Sequence, residues 1–135
     1  MFDRTFLNKS ILIYGLGLSG ESCLQYLRKK NNVKVFDDNH SLKNLENKKY
    51  FLNKNKIMKD KFDYIVLSPG IDIYKCKLKS YLLKNRNKLI TELDIFYMIY
   101  PNNTKITVTG TNGKSSVCVM LYNILKSIKL DVRLV

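Results

Sequence analysis

Two short glycine-rich segments carry the residue types in this chain best suited to chemistry. The first, Gly15-Leu16-Gly17-Leu18-Ser19-Gly20, follows the apolar run Ile11-Leu12-Ile13-Tyr14 and precedes a segment of helical spacing. In that setting the first glycine allows a tight turn, the second lets a phosphate approach the backbone, and the third lets the helix pack closely. Free amides at the helix start add a partial positive charge. Gly15, Gly17 and Gly20 are therefore candidates for holding a diphosphate. Asp37 ends the next apolar run, where dinucleotide-binding proteins place an acid against a ribose hydroxyl. Loop and acid together leave NAD and other diphosphates open as guests, and a tight strand-to-helix connection without a ligand is the plainer alternative.

The second segment, Thr109-Gly110-Thr111-Asn112-Gly113-Lys114-Ser115-Ser116, stands between an apolar run and an amphipathic stretch. It resembles a P-loop, whose backbone amides and lysine cradle ATP phosphates while the next hydroxyl holds magnesium. Lys114 takes the lysine's place and Ser115 the hydroxyl's. Val108 stands where the generic pattern has its first glycine, so that pattern is not fully met.

These segments need elements to position them. Ile11 to Tyr14, Val33 to Phe36, Tyr64 to Leu67 and Lys88 to Ile90 read as buried strands, each followed by a loop. Between them, Ser22 to Lys30 reads as a helix with Cys23, Leu24 and Leu27 inward, the polar stretch before Tyr64 is compatible with a helix, and Leu78 to Leu83 reads as a shorter one. Thr91 reads as the N-cap of a helix through Glu92, Leu93, Ile95, Phe96 and Ile99. This alternation implies a mostly parallel, Rossmann-like sheet with helices on both faces. Pro101-Asn102-Asn103 breaks the pattern, giving expected domains 1–101 and 102–135. In the second, Ile106 to Thr109 reads as a strand and Ser115 to Lys129 as a helix with Val117, Met120, Leu121, Ile124 and Ile128 on its apolar face. Asp131 to Val135 would open one more strand. Such a strand, helix and stub cannot enclose a core, so the chain is expected to stop part-way through that domain.

Composition narrows the function classes. A net charge of +13 invites a nucleic-acid partner, but the lysines are scattered among asparagines and arginine is sparse, which reads as solvated surface. No nucleic-acid partner is expected. Cys23, Cys76 and Cys118 are far apart and form no CxxC pair, so neither a disulfide framework nor a zinc site is indicated. The first residues lack the apolar core of a signal peptide, and no apolar run approaches the length that spans a bilayer. A cytoplasmic chain without membrane contact is the expectation. His40, the single histidine, reads as a surface residue, and Tyr74, Tyr81 and Tyr97 as packing residues.

Thr109 to Ser116 resembles the variant nucleotide loop of the Mur ligases and folylpolyglutamate synthetases, which also lack the first glycine. Gly15 to Gly20, Ser68-Pro69-Gly70-Ile71 and Thr91-Glu92-Leu93-Asp94-Ile95-Phe96 then follow in the order and spacing of the D-glutamate-adding, MurD-type branch of the Mur ligases. The resemblance implies that residues 1–101 hold the UDP part of UDP-N-acetylmuramoyl-L-alanine, with Gly15, Gly17, Leu18, Ser19, Gly20, Asp37, Ser68 and Gly70 at the contacts. It implies that 102–135 begin the central ATP-binding domain, with Gly110, Thr111, Asn112, Gly113, Lys114, Ser115 and Ser116 around ATP. In that family the substrate carboxylate becomes an acyl phosphate that D-glutamate attacks, in peptidoglycan precursor synthesis. Lys114 and a Ser115-held Mg2+ would neutralise the phosphoryl charge as the catalytic pair. Asp38 and Asn39 stand where such enzymes carry other polar or basic residues. The resemblance puts the further magnesium ligands, a carbamylated lysine and the D-glutamate site beyond Val135, so this polypeptide is expected to lack ligase activity of its own; a monomer is the separate expectation for its assembly. An NAD-binding oxidoreductase domain is the alternative.

Overall fold

A computed structural model describes residues 6–39 and 46–134. The chain divides into two compact units, Met1–Pro101 and Asn102–Val135.

The first unit is built on β1 (Ser10–Tyr14), a strand apolar on both faces and therefore suited to the centre of a covered sheet. It is flanked by β2 (Asn32–Phe36) and β3 (Tyr64–Leu67), with β4 (Leu89–Ile90) beyond, in the order β2-β1-β3-β4. All pairs are parallel, and Tyr14 lies level with Phe36 on one side and Leu67 on the other. Alternation along the strands divides the core. Ile11, Ile13, Val33, Val35, Val66 and Ile90 pack with Cys23, Leu24 and Leu27 of α1 (Leu18–Leu27) and Ile95 of α4 (Glu92–Ile99). Leu12, Tyr14, Phe36, Ile65 and Leu67 pack with Ile57 of α2 (Lys54–Ile57) and with Leu78, Tyr81 and Leu82 at α3 (Lys79–Lys84). Each fully buried Leu or Ile contributes about 1.5–3 kcal/mol, so the two faces hold the sheet together without a disulfide. The sheet is Rossmann-like, parallel throughout, with helices on both faces.

Two details differ from the sequence expectation. Helix α1 begins at Leu18, four residues earlier than its apolar spacing suggested, because the glycine loop runs straight into it and Gly20 is already helical. In agreement with the sequence, the polar stretch before β3 contains a helix, α2, capped by the Asn53 side chain accepting from the Lys56 amide at 2.9 Å. Of the three tyrosines read as packing residues, only Tyr81 is buried; Tyr74 is 61% exposed and Tyr97 is 49% exposed. Tyr74 instead accepts a hydrogen bond from Arg86 Nη2 at 2.9 Å. Thr91 caps α4 as expected, in a reciprocal capping box with Asp94. His40 lies outside the described residues.

The second unit contains α5 (Lys114–Ser127), one residue ahead of the expected start. The strand expected over Ile106 to Thr109 does not form, and Asp131 to Leu134 carry no regular element; Val135 lies outside the described residues. A strand exists only with a hydrogen-bonded neighbour, and no second strand of this unit is present among the described residues to supply one. The apolar face of α5 is accordingly left largely open: no residue of the helix is fully buried, Leu121 is half-buried, and Met120 is 62% exposed.

Candidate functional site

The glycine loop is fixed to both neighbours of β1. The Gly15 amide donates to the Phe36 carbonyl at 2.9 Å, and the Ser68 amide donates to the Tyr14 carbonyl at 3.0 Å. Gly15 turns the chain at φ +94°, a region that side chains with a Cβ avoid, and its carbonyl accepts the Ser68 hydroxyl at 2.7 Å. Gly20 passes directly over that carbonyl; a Cβ there would lie 1.9 Å from Gly15 O. Asp37 is buried and completes the frame. Its Oδ2 accepts the Leu16 amide at 2.6 Å and its Oδ1 accepts the Asn39 amide at 2.7 Å.

Asp37 and Ser68 thus brace the loop from β2 and β3. Each Asp37 oxygen already holds one backbone N–H, so a ribose contact would use the remaining lone pairs. The other residues singled out in the sequence lie on the open side. Gly17 is exposed with nothing within 4 Å of a Cβ position, Leu18 is 94% exposed, Ser19 is half-buried, and Gly70 is exposed and equally uncrowded. The first helical bond of α1 runs from the Glu21 amide to the Gly17 carbonyl at 2.9 Å. The amides of Leu18, Ser19 and Gly20 therefore precede the helical ladder and form a positive terminus beside an uncrowded glycine, a geometry suited to an anion.

The layer beneath was harder to foresee. Tyr14 ends β1 fully buried, and its hydroxyl donates to Asp38 Oδ2 at 2.8 Å. Burial, followed by hydrogen bonds with Asp38 and Cys76, pushes its phenol far above the ordinary range and keeps it protonated as a donor. Lys77 Nζ donates to the Asp38 carbonyl at 3.3 Å and lies 3.8 Å from Asp38 Oδ1. The available signal was a tyrosine inside an otherwise aliphatic strand, because a buried phenol requires an acceptor. Burial, aided by the charge of Glu92, pushes the Cys23 thiol up to about 11, which makes it an inert core residue.

The second loop has a different setting. Gly113 is the N-cap of α5 at φ +76°, and the first helical bond runs from the Val117 amide to the Gly113 carbonyl at 3.0 Å. The amides of Lys114, Ser115 and Ser116 again precede the ladder. Gly110, Thr111, Asn112, Gly113 and the first residues of α5 are all exposed. The Lys114 ammonium donates to the carbonyls of Gly110 and Thr111, folding back over its own loop. These groups suit a nucleotide phosphate with a magnesium ion. Among the described residues no cluster of three His, Cys, Asp or Glu could cage a metal, and Ser115 is the residue of this loop that could hold magnesium.

Residues 9–87, from the edge of β1 past α3, match the family model of the Mur ligase MurD-like N-terminal domain. The chain belongs to that MurD-like family. The matched stretch contains the whole first site, from Gly15 through Asp37 and Ser68 to Gly70. Among curated proteins, the UDP-N-acetylmuramoylalanine--D-glutamate ligase of Buchnera aphidicola subsp. Schizaphis graminum is 36% identical over 133 residues, covering 88% of this chain. The ligase of the same name from Rickettsia bellii is 33% identical over 91% of the chain, and that from Streptococcus mutans is 30% identical over 97%. The last alignment necessarily runs through residues 110–116. The chain spans about 28% of the length of the first two relatives and 31% of the third. Among the described residues no helix is long and apolar enough to cross a membrane.

Proposed function

We propose that this chain supplies the substrate-nucleotide site and the start of the ATP site of a UDP-N-acetylmuramoylalanine--D-glutamate ligase, acting in peptidoglycan precursor synthesis in the cytoplasm. The observation that carries the reading is the braced glycine loop, open at Gly17 to Ser19 and at Gly70, inside a MurD-like N-terminal domain. On this reading the diphosphate of UDP-N-acetylmuramoyl-L-alanine sits at the α1 terminus, with Leu18, Ser19 and Gly70 alongside and the nucleoside towards Asp37. Asp37 and Ser68 hold the loop in shape for it.

Lys114 and Ser115 are the proposed catalytic pair of the second loop, with Gly110 to Ser116 around ATP. Ser115 would hold Mg2+, which supplies charge neutralisation for phosphoryl transfer to the substrate carboxylate. Lys114 would exchange its bonds to Gly110 and Thr111 for phosphate oxygens, and D-glutamate would attack the resulting acyl phosphate. In the 135-residue polypeptide no residue of α5 is fully buried, so the second loop lacks a packed support, which favours nucleotide binding without turnover.

Calorimetric titration tests this reading. UDP-N-acetylmuramoyl-L-alanine should bind the purified chain with one site, whereas NADH and a DNA oligonucleotide should give no heat. Binding of NADH alone would replace the ligase reading by an oxidoreductase one. Release of ADP dependent on D-glutamate from this polypeptide would contradict the absence of turnover.

A further inference from the structure

Asp37 and Asp38 leave β2 side by side, and each carboxylate grips the end of β1 at a different point. Asp37 accepts the Leu16 amide at 2.6 Å; Asp38 accepts the Tyr14 hydroxyl at 2.8 Å. Tyr14 cannot turn away, being fully buried with its ring edge-on to Phe36 at 5.2 Å between centroids. A phenol in that position must keep an acceptor or leave a buried donor unpaired. Lys77, on the approach to α3, adds a third segment. Its ammonium donates to the Asp38 carbonyl at 3.3 Å and stands 3.8 Å from Asp38 Oδ1, an oxygen shielded from solvent with no hydrogen-bond donor among the described residues. The ammonium is that oxygen's countercharge.

We propose that Tyr14, Asp38 and Lys77 form a latch that positions the Asp37–Asn39 segment against the glycine loop and thereby sets which nucleoside the site accepts. The inference rests on the reading that this loop holds a nucleoside diphosphate. The division of labour follows from where the groups lie. The phosphate-facing amides belong to Leu18 to Gly20, which the latch does not touch. In a parallel sheet of this kind the nucleoside half extends over the carboxyl end of β2, where the latch acts on the chain. Tyr14, Asp38 and Lys77 are positioning residues: they reach the ligand through the backbone they hold.

The test is titration of the full 135-residue chain with UDP, ADP and inorganic pyrophosphate, with melting temperature measured on every variant. Loss of one well-placed hydrogen bond corresponds to about a tenfold change in affinity. Tyr14→Phe and Lys77→Met should each weaken UDP about tenfold and shrink the preference for UDP over ADP, while pyrophosphate affinity stays within about twofold. Lys77→Arg, which keeps charge and donors, should restore the preference. An unchanged UDP-to-ADP ratio in both loss variants would overturn the latch, as would parallel loss of UDP and pyrophosphate, which would mark general loosening. A wild-type chain that binds pyrophosphate with no preference for UDP would overturn the nucleoside reading itself, and the latch with it.

Discussion

The two glycine loops look alike in sequence, each a glycine turn between an apolar run and a helix, yet their surroundings differ. Gly15 to Gly20 is clamped by Asp37, Ser68 and the amide of Gly15, and its helix buries Gly20, Cys23, Leu24 and Leu27. Gly110 to Ser116 is held by its own lysine, and no residue of its helix is fully buried. A glycine motif supplies the freedom to turn, and the sheet beside it supplies the shape. The first loop has strands on both sides at its base; the second has no strand ladder among the described residues.

Substitutions should separate the loops in graded fashion. Gly20→Ala should cost the most. Alanine favours a helix interior by about 1 kcal/mol, but its Cβ would meet the Gly15 carbonyl at 1.9 Å, and a backbone atom cannot yield cheaply. A net loss of about 3 kcal/mol in urea denaturation is expected, with nucleotide affinity lost as well. Asp37→Ala leaves the Leu16 amide without its acceptor and should cost about 2 kcal/mol in the same assay. Ser68→Ala removes one neutral hydrogen bond to the Gly15 carbonyl, for about 1 kcal/mol. Gly17→Ala meets no neighbour and should change stability by about 0.5 kcal/mol, while weakening diphosphate binding by obstructing the approach to the helix terminus. Lys114→Ala should leave the melting temperature of the first unit unchanged and reduce ATP binding alone. Equal losses from Gly20→Ala and Gly17→Ala would erase the contrast between clamped and open positions.

Much of the first unit was legible because its signals are local. The apolar runs that became β1, β2 and β3 are short and cleanly bounded, and Thr91 is a strong N-cap type just before an apolar-periodic stretch. The start of α1 was hidden because Leu18, Ser19 and Gly20 carry no apolar periodicity; tertiary crowding at Gly15, rather than propensity, puts glycine inside that helix. The Tyr14, Asp38 and Lys77 contacts bridge residues far apart in the chain, which no window of sequence displays. The opposite failure occurred at Ile106 to Thr109. The pattern of a strand was present, but a strand also needs a partner, and pattern cannot provide one.

Residue-resolved amide hydrogen exchange by NMR measures the central claim directly, because it reads each loop before and after ligand. In the free chain the Leu16 amide, bonded to buried Asp37, should exchange slowly, and the amides of Lys114, Ser115 and Ser116 should exchange fast. Adding UDP-N-acetylmuramoyl-L-alanine should protect Leu18, Ser19 and Gly20 and leave the second loop unchanged. Rapid exchange at Leu16 in the free chain, or no added protection at Leu18 to Gly20 with saturating ligand, would contradict a preformed UDP-substrate site in the first unit.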